Sequence, residues 1–261
     1  MLALRGGDHV GASFGSAGQF ADRTVDFAEQ GIAAGAQVTV FPGDPGRDTL
    51  PGFRDALARR SAVIARAVIE GRVRVADSRE VLLAPGRFDP DHLHAVYTAA
   101  TDEAVSAGYR GLWVSVDMTW AAGADPDALV AFEAGAFPLF SAGRLTAMCL
   151  YDRSVFPAAR VARACQAHPA APTSVRPLRH RGDDAGTLVL SGETDTDNHA
   201  AFLALLGSVR SGGRLDISGM SFLDVRAMVA VAERRGPALT VTATPRQHHL
   251  LDLMDSGLRP A

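Results

Sequence analysis

A loop of small residues and an aspartate at the end of a strand have the clearest potential for chemistry. The loop from Gly15 to Gly18 (residues 15–18) follows an apolar segment, and such loops can bind anions through backbone amides. Asp117 ends a second apolar segment, where a carboxylate could hold a metal ion or orient a ligand. Nucleotide hydrolysis by a phosphate-binding loop also needs a lysine and a magnesium-binding hydroxyl. The loop lacks a Gly-Lys-Ser/Thr ending and the chain contains no lysine, so we expect binding at Asp117 and no catalysis.

The histidines and cysteines form no metal-binding motif that is visible along the chain. Cys149 lies in an apolar segment and Cys165 in a predicted helix, and both are interpreted as small buried side chains. His9 begins a strand, and we expect it to make a structural hydrogen bond rather than to bind a ligand. The sequence therefore predicts neither a metal site nor a cofactor.

Composition limits the classes of function. The 261 residues allow one large or two ordinary domains, and a net charge of −3 provides no general attraction to nucleic acid or to an acidic membrane surface. No apolar run has the length of a signal peptide or of a membrane span. We expect a soluble, cytoplasmic protein.

The elements that position these residues alternate between strand and helix. Apolar segments at residues 9–14, 37–41, 73–76, 81–83, 111–116 and 145–151 are typical of strands. Helical patterns lie between them, at residues 20–34, 50–70, 89–106, 125–140 and 158–167. This order predicts an α/β fold with a mainly parallel sheet covered by helices on both faces.

Ligands of open parallel sheets bind beyond the carboxyl ends of the strands. At that edge we expect Trp120 and Tyr151 as aromatic walls, together with two carboxylates that could orient a polar group. Trp120 and Tyr151 could equally be ordinary packing residues. The predicted ligand-binding residues are Ser13, Phe14, Asp117, Trp120, Tyr151 and Asp152.

The second half of the chain is expected to form a separate unit. Residues 171–185 contain prolines and arginines without an apolar period, which favours a linker between domains at residues 1–170 and 186–261. Further along, residues 215–218 alternate like a strand, Gly219 allows a tight turn, and Asp224 suits the N-cap of a helix.

Residues 186–258 resemble STAS domains, the bacterial anti-sigma-factor antagonists. The resemblance depends on Leu-Val-Leu-Ser-Gly-Glu-Thr-Asp, which ends at Asp195, and on Asp-Ile-Ser-Gly followed by Phe-Leu-Asp, which ends at Asp224. It implies an anti-sigma factor or a related regulator as partner. The family's phosphorylated serine is replaced by Arg226, which a Ser/Thr kinase cannot modify. The residues expected to contact the partner are Asp195, Ser221, Asp224, Val225, Arg226 and Met228.

Residues 7–169 resemble a different family, the MEDS sensory domain. The motifs that carry this resemblance are His9, Glu29-x-Gly31, Phe88-Asp89-Pro90, Asp117-Met-Thr-Trp120, Phe132-Glu133, Cys149-Leu-Tyr-Asp152 and His168-Pro169. The resemblance implies a fold related to RecA- and KaiC-like ATPases that has lost the ATPase motifs and binds small molecules.

The combined prediction is a signalling protein in which a ligand-sensing domain replaces the phosphorylation switch of an anti-sigma-factor antagonist. One alternative is a degenerate nucleotide-binding or hydrolysing enzyme that uses the loop between Gly15 and Gly18 together with Asp117. Another is a structural scaffold, and a homodimer is compatible with each.

Overall fold

The computed structural model describes residues 2–43, 50–182 and 186–255, and its strands form two sheets. The strands of the first sheet are β1 (His9–Phe14), β2 (Gln37–Phe41), β3 (Val73–Val75), β4 (Leu112–Asp117) and β5 (Leu145–Asp152). They are parallel, in the order β1-β5-β4-β2-β3. The predicted parallel α/β sheet is therefore present in the first part of the chain.

Helices cover both faces of this sheet. They are α1 (Ala17–Ala33), α2 (Leu50–Arg60), α3 (Ala62–Ile69), α4 (Ser78–Val81), α5 (Pro90–Ser106), α6 (Pro126–Gly135), α7 (Phe137–Phe140) and α8 (Ala158–Gln166). All six residues of β4 are buried because both of its faces are covered. Alternate residues enter different cores, so that Val114 packs in one and Trp113 in the other.

Local capping explains where the predicted helices begin and divide. Asp89 and Asp125 cap α5 and α6 as expected, each with a proline at the start of the helix. The predicted helix over residues 50–70 is two helices, because Ser61 accepts a hydrogen bond from the amide of Ile64 and starts α3. The extended segment predicted at residues 81–83 is wrong, since Asp77 caps the short helix α4 there.

The second sheet has four strands in the order β6-β7-β8-β9, with β6 antiparallel to β7 and the other pairs parallel. Its strands are β6 (Arg179–Gly182), β7 (Thr187–Thr194), β8 (Gly213–Leu223) and β9 (Leu239–Thr242). The helices that follow them are α9 (His199–Ser208), α10 (Val225–Arg234) and α11 (Pro245–Asp255). Phe202, Leu215, Val231 and Leu251 form part of their shared core.

Part of the predicted linker over residues 171–185 has regular structure, because residues 179–182 form strand β6. Ala170 forms a bridge with Val10, and β6 adds an edge strand to the second sheet. The polar sequence of β6 hides this strand, because an edge strand needs no apolar alternation. Asp183 and Asp184 of the predicted linker lie outside the described residues.

The predicted tight turn at Gly219 is also wrong. Strand β8 continues through Gly219 to Leu223, and its register with β7 shifts at a bulge beside Gly192. Gly192 has a φ of +96°, and a Cβ atom there would collide with the carbonyl of Pro177. The bulge therefore depends on glycine. Beyond the bulge, β8 continues to the start of α10.

None of the described helices is long and apolar enough to cross a membrane.

Candidate functional site

An open cleft of about 630 Å3 lies at the carboxyl edge of the first sheet. Its position follows from topology, because the carboxyl ends of β1, β2, β4 and β5 meet there. The volume is within the usual range for small-molecule sites. The cleft is lined by Phe14, Ala17, Phe20, Pro42, Gly43, Phe53, Ser78, Arg79, Asp117, Thr119, Trp120, Asp152, Ser154 and Val155.

Two strand ends supply the carboxylates of the cleft. Asp117 closes β4 and accepts a hydrogen bond from the amide of Thr119 at 2.9 Å, which starts a short 3-10 helix at Met118–Ala121. Asp152 closes β5 and accepts from the amide and the hydroxyl of Ser154, both at 2.7 Å. Each aspartate thus ends a strand and is fixed by the turn that follows it.

Asp117 is electrostatically unusual. Burial, assisted by the nearby charge of Asp152, raises the pKa of its carboxyl to about 6 against the opposing effect of hydrogen bonds from Thr119 and Gly43. A buried carboxylate with few partners costs folding free energy. It is also the kind of group that ligand sites retain.

Aromatic side chains make up much of the remaining cleft wall. Phe20 packs between Phe14 and Phe53, with ring centroids 5.3 Å and 5.8 Å away. Trp120 stacks on Phe88 at 6.0 Å, and its buried indole Nε1 has no hydrogen-bond partner. The arrangement suits a compact, mostly apolar molecule with a polar group that reaches the carboxylates.

Four of the six predicted ligand-binding residues line the cleft: Phe14, Asp117, Trp120 and Asp152. Tyr151 does not, because side chains alternate along β5 and Tyr151 points into the core on the side opposite to Asp152. Ser13 also lies outside the cleft lining, and its hydroxyl accepts a hydrogen bond from Arg153 at 3.3 Å.

The loop of small residues is not shaped like a phosphate-binding loop. Ser16 caps α1, so that Ala17 and Gly18 already belong to the helix. The amide of Gly15 donates to the side chain of Gln19 at 2.8 Å, and a Cβ atom on Gly15 would collide with Arg153. At least one amide that would have to face a phosphate is therefore already occupied.

A second constellation lies inside the first domain: His9, Glu133, Cys149 and His168, all buried. Oε2 of Glu133 is 3.3 Å from Nε2 of His9 and 3.3 Å from Nε2 of His168. Sγ of Cys149 is 3.5 Å from Nε2 of His9 and 3.8 Å from Oε2 of Glu133. Four potential ligand atoms thus converge within 4.8 Å of one another.

Neighbouring groups hold this constellation in place. Nδ1 of His168 lies 2.8 Å from the carbonyl of Ala164, which makes Nδ1 the protonated nitrogen. The hydroxyl of Tyr151 donates to Oε1 of Glu133 at 2.7 Å, and the ring of His9 stacks on Phe140 at 4.3 Å. A cavity of about 20 Å3 lies beside His9, Glu133 and Cys149, and Trp120 lines both this cavity and the open cleft.

Burial controls the protonation of this constellation. Burial and the neighbouring His168 lower the pKa of His9 to about 4, although Glu133 opposes this. Burial alone would raise the pKa of Glu133, but His168 and His9 outweigh this and hold that pKa well below its usual range. Burial also raises the pKa of Cys149 and of Tyr151 well above their usual values.

The sequence shows no local spacing for this constellation. Its members come from the start of β1, from α6, from the middle of β5 and from the chain after α8. All four residues belong to the MEDS-like motifs of the sequence, and only this could have indicated that they lie together. The structure places His9 at the amino end of its strand, as expected. The side chains around it there include other potential metal ligands.

In the second unit, the N-cap predicted for Asp224 is confirmed: its carboxylate accepts from the amide of Ala227 at 2.7 Å. Arg226 is the second residue of α10, and its side chain is 60% exposed and 3.7 Å from Asp224. Beside it, Phe222 and Val225 are each 51% exposed. Together Phe222, Val225 and Arg226 form an exposed tip at the start of α10, which we call the α10 tip.

The other predicted partner contacts, which include Met228, Ser221 and Asp195, lie in different environments. Met228 is buried in the core under α10, so it cannot touch a partner. It faces inward because it lies with Ala227, Val231 and Ala232 on the buried side of α10. Ser221 donates to the carbonyl of Gly192 at 3.0 Å, and Asp195 accepts from the amide of Asp197 at 2.8 Å. Ser221 therefore links β8 to β7, and Asp195 stabilises a local turn.

Comparison with protein-family models matches residues 8–169 to the MEthanogen/methylotroph, DcmR Sensory domain (MEDS). The matched region contains the whole first sheet, the cleft and the buried constellation. No curated protein matches the chain.

Proposed function

Because the chain belongs to the MEDS family of sensory domains, we propose that its cleft binds a small molecule and that its second unit transmits this state to a regulatory protein. The family match supports a signalling or regulatory role for the protein. The observation that carries the ligand-binding proposal is the cleft itself, with the carboxylate of Asp117 at its floor.

The cleft lining favours one class of ligand. Phenylalanine and tryptophan side chains provide apolar surface, and the carboxylates of Asp117 and Asp152 accept hydrogen bonds. A compact apolar molecule with a hydroxyl or an ammonium group satisfies both. The lining has two carboxylates and one arginine, Arg79, so its charge disfavours a ligand carboxylate, and we propose small alcohols and amines as ligands.

Helix α8 gives a physical route from the cleft to the second unit. Ser154 and Val155 line the cleft just before α8, and Pro169 follows the helix at its other end. The carbonyl of Pro169 accepts a hydrogen bond from the side chain of Asn198 at 3.2 Å, at the start of α9. A ligand that moves the start of α8 can therefore act on the contact with α9.

The α10 tip supports the proposal of a protein partner. Two exposed apolar side chains next to an exposed arginine are suited to a surface with an apolar patch and a carboxylate. The resemblance to anti-sigma-factor antagonists leads us to propose an anti-sigma factor or a related regulator as that partner. Arg226 would replace a phosphorylation switch with a permanent positive charge.

The two tryptophans provide a direct test of ligand binding. In protein labelled with 15N-tryptophan, a short alcohol or amine that enters the cleft should shift the indole signal of Trp120 and leave that of Trp113, which is in the core, unchanged. Trp120→Phe assigns the signals. A size-matched carboxylate is the control ligand. If no alcohol or amine moves the Trp120 signal in preference to that of Trp113, the cleft is not the sensing site.

Asp117→Asn tests the role of the carboxylate. A hydrogen bond to a charged group contributes about 1.5–3 kcal/mol, so the variant should bind an amine about tenfold or more weakly in isothermal titration. Equal affinity of both proteins would remove Asp117 from the site.

A further inference from the structure

The distances in the buried constellation have the pattern of a metal site. Bonds of about 2.0–2.3 Å to a tetrahedral ion place neighbouring ligand atoms about 3.3–3.7 Å apart. Four of the six separations between the ligand atoms are 3.3, 3.3, 3.5 and 3.8 Å, and the other two are no longer than 4.8 Å. From this geometry we propose that His9, Glu133, Cys149 and His168 bind one transition-metal ion of the zinc type.

Hydrogen bonds alone do not satisfy all the buried polar atoms of the constellation. Nε2 of His168 is fully buried, 3.3 Å from Glu133, and yet makes no hydrogen bond. An unpartnered buried nitrogen costs about 1–3 kcal/mol. Since Nδ1 of His168 is directed to the carbonyl of Ala164, Nε2 presents its lone pair to the centre of the constellation. An ion at this centre gives that lone pair a partner.

Charge balance leads to the same ion. The carboxylate of Glu133 is buried, and among the described residues its ion-pair partners are only the two imidazoles. A divalent ion bound by one carboxylate, one thiolate and two neutral imidazoles gives a site with no net charge. Binding releases the thiol proton of Cys149 to solvent and involves no oxidation or reduction.

The ligand types select the ion. Imidazole and thiolate ligands in a tetrahedral arrangement favour zinc over magnesium or calcium, which prefer six or more oxygen ligands. Four protein ligands close the coordination shell, which is typical of structural rather than catalytic zinc. The hydroxyl of Tyr151 on Glu133 and the carbonyl of Ala164 on His168 act as the outer partners that orient the ligands.

Such an ion would lie next to the junction between the first domain and the second unit. His168 immediately precedes Pro169, whose carbonyl accepts from Asn198 of the second unit. The other three ligands belong to the same domain and lie in β1, α6 and β5. The ion would therefore tie the end of α8 to the first sheet, just before the junction with the second unit.

The test begins with metal analysis of the full-length protein, expressed with added zinc and dialysed. We expect one zinc ion per chain, with X-ray absorption showing one sulfur ligand at about 2.3 Å and the remaining nitrogen or oxygen ligands at about 2.0–2.1 Å. No stoichiometric metal, either as purified or after addition of zinc, would overturn the proposal. So would a bound ion without a sulfur ligand. Neither measurement involves a cleft ligand, so the result is independent of the proposed function.

Variants then identify the ligands. Cobalt-loaded protein should show a thiolate-to-cobalt charge-transfer band that is lost in Cys149→Ser and kept in Cys165→Ser, which removes the cysteine outside the constellation. Tyr151→Phe changes no ligand and should weaken metal affinity about 10–100-fold. Retention of the band in Cys149→Ser would overturn the assignment of Cys149 as a ligand. Unchanged metal affinity in Tyr151→Phe would overturn the role of Tyr151 as an outer partner. Circular dichroism checks that each variant folds.

Discussion

Arg179 of β6 donates two hydrogen bonds to the carboxylate of Asp8, at 2.7 Å and 2.8 Å. The two residues are 171 positions apart, and they join the second sheet to the segment before β1. The side chain of Asp8 is almost fully buried, and that of Arg179 is 27% exposed. Two parallel bonds from one guanidinium fix orientation as well as distance, so this pair holds the two units in register.

Arg179→Met should destabilise the junction. The substitution leaves a buried carboxylate without its cation. Breaking a buried ion pair costs about 3–5 kcal/mol, and the partial exposure of Arg179 reduces this to about 2–3 kcal/mol. Urea unfolding followed by circular dichroism measures the loss. Arg74→Gln breaks an exposed pair with Glu103 and should cost less than about 1 kcal/mol. Equal losses in the two variants would show that the Asp8 pair has no special role.

Asp117 should make stability depend on pH in an unusual direction. Its carboxyl has a pKa of about 6 in the folded chain against an ordinary value of 3.8, so the folded state holds the proton more tightly. The stability that this gives is complete below pH 3.8 and is lost as the pH rises through 6. A difference of about two pKa units corresponds to about 3 kcal/mol.

Asp117→Asn should therefore flatten the pH profile and raise the free energy of unfolding at pH 7, by an amount reduced by the hydrogen bonds that the amide cannot accept. Chemical unfolding at several pH values between 4 and 7 measures this. Asp26→Asn, which removes an exposed carboxylate of α1, is the control for the loss of one charge. The same flattening in both variants would contradict the assignment to Asp117.

Gly43→Ala should block the cleft without changing any polar group. A Cβ atom on Gly43 would overlap Oδ2 of Asp117 and lie 2.9 Å from its Cγ, so the carboxylate must move. We expect at least tenfold weaker binding of an amine ligand in isothermal titration, with little change in secondary structure. Gly123→Ala is the matched control, because a Cβ atom there meets open space. Unimpaired binding in Gly43→Ala would mean that the position of Asp117 does not matter.

The α10 tip should be sensitive to charge reversal. Arg226→Glu places a carboxylate where we propose that an acidic partner surface binds. We expect a loss of affinity of about tenfold or more for the anti-sigma-type partner in surface plasmon resonance, and a smaller loss for Arg226→Ala. Arg210→Glu, which changes an exposed arginine just after α9, is the control for net charge. If the reversal at 226 has no larger effect than that at 210, the partner binds elsewhere.

The fold of the first domain could largely be predicted from sequence, because each buried strand is a short apolar run and helices such as α5 and α6 begin at a clear aspartate cap. The cleft could be predicted for the same reason, since topology alone brings Phe14, Asp117 and Asp152 to one edge. Tyr151 was misplaced because neighbouring residues of a strand point in opposite directions, and the exact end of β5 decides which one faces the cleft.

Other features depend on contacts between distant segments, which single-sequence patterns do not contain. The buried constellation draws one residue from each of four segments, and His9 and His168 are 159 positions apart in the numbering. Strand β6 is polar because it lies at an edge, so it resembled a linker. Met228 was predicted to face a partner because the family motif gives its position but not the face of α10 that packs on the sheet.

The central claim is that ligand in the cleft changes the second unit, and hydrogen exchange on the full-length chain tests it most directly. Exchange is compared with and without a saturating amine selected by the Trp120 signal. We predict altered protection at the cleft, at the junction between Pro169 and Asn198, and at residues 222–228, which include the α10 tip. Altered protection that stops at the cleft, with the junction and residues 222–228 unchanged, would contradict the claim.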